Sequence, residues 1–330
     1  MRFEGMKICV TGGMGFVGAH TAKSLKAMGA YVVVVDRRYT GIPESFYDEF
    51  IRSDFADAAT LRHLNELGVQ GFVHCAGSSL VGPSMTNPSD YYNNNVAKNI
   101  KFLDYLATDW LYTKPWIVFS SSAATYGNPA SVPIFEDDLQ KPINPYGETK
   151  LIMEHLLRDY SNAYGIRSFS LRYFNACGAD YWGQEWGPEK GDTHLIPRLF
   201  EMDPFTLFGT DYETHDGTCV RDYIHVSDLA LAHATACMAL SEGAATDYFN
   251  LGTGKGYSNQ RVIDVYHEIV GPKQILKQER RAGDPDELVA DGTKFQKRFN
   301  WKPYFSDLNT IVNDTMKWYE KSGILKEDHS

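Results

Sequence analysis

The sequence predicts an α/β protein built on a parallel, doubly wound sheet, with a smaller mixed α/β lobe interleaved into it. Three observations carry that expectation. Short β-branched runs alternate with helical stretches through the first half, a glycine-spaced turn follows the first run, and an acid closes the second. The runs are "KICVTGG", "YVVVVDRR", "GFVHCAG", "WIVFSSS" and "SFSLRYFNA". Each is about five residues long, the length of a buried strand. Between them lie helical patterns such as "GAHTAKSLKAMG" and "KLIMEHLLRDYSNAYG". Strand–helix alternation implies a parallel sheet covered on both faces.

A chain of 330 residues suits one large domain with a second lobe, or two domains. The texture changes after residue 175. "GADYWGQEWGPEKGD" reads as a loop and "THLIPRLFEM" as a short helix. "VRDYIHVSDLALAHATACMALSEG" reads as a strand and then a helix capped at Ser227 or Asp228, both good N-caps. The first domain is therefore expected over 1–174, with 222–250 returning to it, and the second lobe over 175–330. A second glycine cluster, "NLGTGKG" at 250–256, reads as a turn leading into the helix "NQRVIDVYHEIVG".

Composition narrows the functional classes. An apolar fraction of 43% and a charged fraction of 22% are those of an ordinary globular protein. No stretch approaches the roughly 18 apolar residues of a membrane span. "MRFEGMKICVTGG" has no long apolar region before its glycines, so no secretory signal is expected. Five scattered cysteines without a C-x-x-C argue for reduced thiols in the cytoplasm, and against a disulfide framework or a cysteine zinc site. No H-x-x-x-H occurs, so no metal is expected. A formal net charge of −10 with no Lys/Arg run argues against nucleic acid as a partner. An acidic protein can still hold an anionic small molecule where a few arginines gather, and Arg221 and Arg281 are the candidates.

In "VTGGMGFVG", Gly12, Gly15 and Gly18 follow a strand and open a helix. The first glycine permits a tight turn, the second lets the backbone approach a pyrophosphate on the helix N-terminus, and the third allows close helix–strand packing. Asp36 ends the next strand, 18 residues past Gly18. There it can accept hydrogen bonds from adenosine ribose hydroxyls and repel a 2′-phosphate. The fold is thus a Rossmann-like doubly wound parallel sheet, and NAD is favoured over NADP. Arg37 and Arg38, just after the acid, are the residues that could greet a 2′-phosphate instead.

"NPYGETK" places Tyr146 and Lys150 four apart, on one face of a helix starting near Pro145. Alone, the pair reads equally as a surface contact. Beside a dinucleotide it reads as a phenolate held for proton transfer. A phenol of ordinary pKa is a poor base at neutral pH, and bringing it from about 10 to about 7 takes roughly 4 kcal/mol. A neighbouring ammonium and a positive nicotinamide ring both act in that direction. Ser122, at the end of "FSSSAATYG", can hydrogen-bond a substrate hydroxyl.

With these motifs the sequence resembles the extended short-chain dehydrogenase/reductases, and within them the nucleotide-sugar 4-epimerases. The resemblance runs from about residue 6 to about 318, through "TGGMGFVG", "HCAG", "YYNNNV", "FSSSAATYG", "NPYGETK", "LRYFNACGA", "DGTCVRDYIHVSDLA", "YFNLGTG" and "RRAGDPDELVAD". It implies that Gly12, Gly15, Phe16 and Val17 wrap the pyrophosphate of NAD, Asp36 holds the ribose, and Asp54 and Phe55 flank the adenine. Cys75, Ala76 and Gly77 would line the cofactor with Asn95 nearby, and Tyr173 and Phe174 would sit by the nicotinamide. Ser122, Tyr146 and Lys150 would be the catalytic trio. Asn175, Arg221, Tyr223 and Arg281 would grip the nucleoside diphosphate of a UDP-sugar. The implied reaction is transient oxidation at carbon 4, in a cytoplasmic homodimer. The bland reading of Arg221 is a surface salt bridge with Asp222 or Asp228.

Departures from the pattern sharpen the expectation. Relatives that dehydrate their sugar carry an acid pair where this chain has Ala123 and Ala124, and alanine cannot move a proton. Ser79 replaces a lysine near the cofactor, and His194 replaces an asparagine that helps hold the nucleotide. Leu288 stands at the position gating the sugar pocket, where tyrosine confines relatives to plain hexoses. N-acetylhexosamines are expected to be admitted. An NADPH-spending epimerase/reductase, a pentose or uronic-acid epimerase, and a regulator without chemistry are the competing readings.

Overall fold

The computed structural model describes residues 3–188, 194–281 and 284–323. The strands are β1 Lys7–Thr11, β2 Tyr31–Asp36, β3 Glu49–Arg52, β4 Gly71–His74, β5 Trp116–Ser122 and β6 Ser168–Tyr173. They continue with β7 Asn175–Cys177, β8 Phe205–Phe208, β9 Val220–His225, β10 Asp247–Leu251, β11 Gly256–Ser258, β12 Ile275–Gln278 and β13 Glu287–Leu288. Seven of them form one sheet in the order β10-β6-β5-β4-β1-β2-β3. Pairing from β3 through β6 is parallel throughout. Strand order reverses direction between β1 and β4, the switch point outside which doubly wound sheets bind their ligands.

Local chemistry sets the element boundaries. "YVVVVD" is apolar on both faces because a doubly covered strand has no wet side. Asp57 caps the helix Ala58–Leu67, accepting from the N–H groups of Ala59 and Thr60, both at 3.0 Å. Asn144 caps the helix Pro145–Tyr164 by accepting from Gly147 N–H at 2.8 Å, with Pro145 in its first turn. One expected cap is corrected. The helix Val226–Ser241 starts one residue before Ser227. Asp228 instead accepts from the N–H groups of Tyr304 and Phe305 and from the Ser306 hydroxyl. Burial gave this carboxylate to the tertiary structure.

The chain divides into two compact units. The first comprises Met1–Asn128, Leu139–Tyr173 and Ala230–Phe249, the second Pro129–Asp138, Phe174–Leu229 and Asn250–Ser330. Apart from single-residue shifts at Phe174 and Asn250, these limits differ from the expected ones at two places. Pro129–Asp138 goes to the second unit because Ile134 exchanges backbone hydrogen bonds with Val289 and Asp291, and Glu136 accepts from Asn250 N–H. Residues 222–229 stay there too, since β9 is the middle of that unit's sheet. The N-terminal half of β9 is flanked by β11 and β13, and its C-terminal half pairs with β7. A parallel β8–β12 pair completes the second unit.

The core of the first unit gathers Phe72, Phe102, Trp110, Ile117 and Phe119. Phe102 is its pivot, meeting Phe72 and Phe55 edge-on at 5.1 and 5.9 Å and stacking on the His74 ring at 5.3 Å. The second unit has its own core around Leu199, Phe205, Ile263, Ile311 and Tyr319. Phe102→Ala is expected to cost about 3–5 kcal/mol, read by urea unfolding; a loss below about 1 kcal/mol would show that the ring is not what fills this layer.

Candidate active site

The glycine turn is shaped for a ligand on its open side. A Cβ at Gly12 would fall 2.6 Å from Ala76 N, and one at Gly18 would fall 2.3 Å from the Gly12 oxygen. At Gly15, only the Gly12 oxygen would lie within 4 Å, at 3.3 Å. The turn therefore packs tightly against the loop after β4, bringing Cys75, Ala76 and Gly77 to it, while Gly15 faces space. The helix Phe16–Ala27 begins there with no side-chain cap and no acid in its first turn. Its leading N–H groups, in the turn that holds Phe16 and Val17, are of the kind that suits an anion. Asp36 closes β2, and its carboxylate accepts from the N–H groups of Met14 (3.2 Å) and Arg38 (3.0 Å), which ties the acid to the glycine turn. These residues fit NAD.

Asp54 bonds the Lys98 ammonium at 2.6 Å and Ala56 N–H at 3.0 Å. Burial alone would raise this carboxyl, but Lys98, the Ala56 N–H and the Arg37 charge hold it below its ordinary value. The Phe55 ring lies in the core against His74 and Phe102, so what it can offer an adenine is main chain. Asn95 is a bracket: its amide accepts from Ser78 N–H (2.8 Å), donates to the Ser78 carbonyl (2.9 Å) and donates to the Thr149 hydroxyl (3.0 Å). It thereby fixes the loop after β4 to the Tyr–Lys helix.

Ser122, Tyr146 and Lys150 converge at the C-terminal end of β5. The Ser122 hydroxyl accepts from Ala124 N–H at 3.2 Å, and Ser122 lies opposite Tyr173 across the β5–β6 ladder. Lys150 is 6% exposed. Its ammonium donates to the Ser120 carbonyl at 2.7 Å and lies 5.8 Å from the centre of the Tyr146 ring. Gly147 makes this crossing possible, because a Cβ there would sit 2.3 Å from the Ala124 oxygen. Ser120 is a second junction, its hydroxyl donating to Cys75 Sγ at 3.0 Å. Burial pushes that thiol up to about 11 against the Ser120 bond and the Lys150 charge. It pushes His74 down to about 3, with Lys150 adding to the effect.

The depression expected of the Tyr146 phenol draws on two cations, one of them the ring of bound NAD. In the protein by itself burial raises it above the ordinary phenol value, Tyr91 adds to the rise, and the Ser122 hydrogen bond works against both. Desolvation of the phenolate is the largest influence on this group in the protein by itself.

In the second unit the small sheet assembles the other candidates. Asn175 lies opposite Tyr223, and Leu288 opposite Arg221. Arg221 is 7% exposed, donates to the Val220 carbonyl at 2.8 Å and approaches Asp284 at 3.7 Å. The alternative of a surface pair with Asp222 or Asp228 is therefore overturned. Asp222 is buried and faces the other way, accepting from Thr253 and from the N–H groups of Gly254 and Ala290. The Tyr223 hydroxyl donates to Asn259 at 3.4 Å, and burial raises its phenol. A groove runs along Phe205–Phe208 with Leu195, Asn259, Arg281 and Asp284 on its walls. The Arg281 guanidinium lies 4.2 Å above the Phe208 ring. His194 immediately precedes the helix Leu195–Glu201 that borders the groove. Phe174 is buried in this unit.

Sequence reasoning missed the β8 wall, Asn259, Asp284 and the Ser120 junction. The strand-like alternation of "FTLF" and the three-residue spacing from Arg281 to Asp284 were the available signals. Among the described residues no cluster could hold a metal and no helix is long and apolar enough to cross a membrane.

A parallel sheet with a glycine cradle at its switch point, and a tyrosine–lysine pair at the end of β5, define a dinucleotide-dependent enzyme. The particular family follows from comparison. The profile of the NAD dependent epimerase/dehydratase family matches residues 8–252, and the chain belongs to that family. It is similar to the UDP-glucose 4-epimerase of Halalkalibacterium halodurans, 39% identical over 326 residues that cover 96% of each chain. The crystal structure of UDP-glucose 4-epimerase from Brucella ovis in complex with NAD superposes with a TM-score of 0.88 at 40% identity, covering 95% of this chain and 98% of that one. The UDP-Glc/GlcNAc 4-epimerase of Campylobacter jejuni has a TM-score of 0.80 at 33% identity, covering 96% and 100%.

Gly18→Ala is expected to purify with at least tenfold less NAD, since relieving its overlap costs more than about 1.4 kcal/mol; retention at the parent level would show that the cradle yields. Subtracting the near-ultraviolet titration of Tyr146→Phe from that of the parent isolates Tyr146. In NAD-free protein no tyrosinate is expected until above pH about 10, and ionisation near pH 7 would show that burial does not dominate.

Proposed function

We propose that this chain, an NAD-dependent 4-epimerase of UDP-sugars, works through Ser122, Tyr146 and Lys150 and accepts N-acetylated as well as plain hexoses. The observation that carries the reading is the buried Lys150 ammonium, held by the Ser120 carbonyl near the end of β5 and 5.8 Å from the centre of the Tyr146 ring. Bound NAD supplies reversible hydride chemistry at carbon 4 and a positive ring.

The residues divide the remaining work. Tyr146 takes the proton of the 4-hydroxyl as the 4-keto sugar forms and returns it when the carbon is reduced from the other face. Burial disfavours the phenolate in the protein alone, and the Lys150 ammonium and the positive ring of bound NAD would act in the opposite direction. Ser122 holds the hydroxyl in line. Lys150 fixes the helix and adds positive potential beside the phenol. In the second unit Arg221 and Arg281 suit a diphosphate, and the β8 groove suits a flat base. Ala123 and Ala124 offer no acid for dehydration.

Leucine at 288, half-buried opposite Arg221, supports an open sugar pocket, as does the likeness to an enzyme named for both UDP-Glc and UDP-GlcNAc. The five unpaired thiols support a reducing, cytoplasmic setting. The exposed apolar side chains of Met85, Tyr92 and Ile100 support association as a homodimer.

Tyr146→Phe should lower turnover by about 10²–10⁴-fold, the worth of a positioned general base, and keep NAD. Incubation with UDP-glucose, UDP-N-acetylglucosamine, a UDP-pentose and a UDP-uronic acid, followed by separation of the products, fixes the substrate range. Turnover of the plain hexose without the acetylated one would overturn the reading of Leu288.

A further inference from the structure

Three residues outside the trio lie on β5, on β6 and on the Tyr–Lys helix. Ser121 precedes Ser122 on β5, and Arg172 precedes Tyr173 on β6. Glu154 stands one turn past Lys150 and two past Tyr146 on the helix Pro145–Tyr164. All three meet in the interior of the first unit. The Arg172 guanidinium forks onto Glu154, Nη2 at 2.7 Å from Oε2 and Nε at 3.0 and 3.1 Å from the two carboxylate oxygens. Ser121 Oγ donates to Glu154 Oε1 at 2.5 Å, and Gln140 donates to Oε2 at 3.2 Å. Arg172 Nη1 donates to the Tyr126 hydroxyl at 2.8 Å, just past the turn Ala123–Thr125 that leaves Ser122. The guanidinium also stacks 4.4 Å from the Tyr248 ring. Side-chain exposure is 3% for Arg172 and 7% for Glu154.

Stability does not account for such a pair. A buried ion pair gains little over well-packed apolar side chains of the same volume, because desolvation offsets the attraction. What a bidentate fork adds is geometry, since both bonds are met at one separation and one mutual orientation. Here the fork joins the strand ends beside Ser122 and Tyr173 to the helix that carries Tyr146 and Lys150. We propose that the Arg172–Glu154 pair is a positioning device, setting the depth and rotation of the Tyr–Lys helix against the ends of β5 and β6. The proposal rests on the reading of Tyr146 as the proton-transfer group. Neither Arg172 nor Glu154 needs to touch substrate.

The test uses the NAD-loaded enzyme and the double variant Glu154→Met with Arg172→Met, which removes both charges together and fills the space. Thermal stability is expected to stay within a few degrees of the parent, roughly the shift of 1 kcal/mol or less. NAD content should be unchanged. KM for the UDP-sugar is expected to change by less than about threefold while kcat falls about 10–100-fold, the effect of a misplacement on the order of 1 Å. A merely structural pair would do the reverse, lowering stability and leaving kcat intact. A folded, NAD-loaded double variant with parent kcat overturns the proposal. If the double variant does not accumulate folded, Arg172→Lys decides. It keeps the buried charge but removes the two-pronged fork, and is expected to lower kcat several-fold on the same argument; a folded variant with parent kcat overturns the proposal. Tyr146→Phe is run in parallel. Retained turnover there would sink the assignment of the phenol itself, whereas an inactive Tyr146→Phe beside a fully active double variant would sink the positioning role alone.

Discussion

Lys150 carries a charge into a place almost closed to water, and the arrangement of the first unit follows from how that charge is borne. Removing an ammonium from solvent costs several kcal/mol unless donors find acceptors. One acceptor is the Ser120 carbonyl, near the end of β5. That bond draws the helix Pro145–Tyr164 against the strand end, which places Tyr146 beside Ser122. The same charge is felt at His74 and Cys75, both kept neutral in the interior. A single buried cation thus organises the strand end, the helix and the loop after β4.

Phosphate recognition and proton chemistry are built from different materials in this molecule. The cradle uses backbone: bare N–H groups at an uncapped helix start, and glycines whose missing side chains let three segments touch. The Tyr146 centre uses side chains held by other side chains, with Asn95 and Thr149 linking the two regions. The second unit repeats the logic on a smaller sheet. There the carboxylate of Asp222, flanked in sequence by Arg221 and Tyr223, secures the loops at Thr253 and Ala290.

Much of this was legible in the residues because it depends on short-range chemistry. The glycine spacing, the acid ending β2 and the Asn-Pro start of the Tyr–Lys helix are set within a few residues of chain. Other features were not, for a consistent reason. Ser227 and Asp228 have the chemistry of caps, but Asp228 is claimed by an element 76 residues away. Residues 129–138 look like a connection until Ile134 pairs with the strand region at 289–291. The state of the Tyr146 phenol depends on the amount of protein around it, and a pattern of residue types contains no measure of burial. Asp284 was overlooked because its importance lies in the company of Arg221, far off in the sequence.

The contact between Gly147 and the Ala124 oxygen reaches beyond the packing of one turn. The first turn of the helix rests on the peptide that follows Ser122, with no room for a single extra carbon between them. Any side chain at position 147 would have to pry the helix from the strand end, so the spacing between Ser122 and Tyr146 is fixed by the lack of one carbon atom.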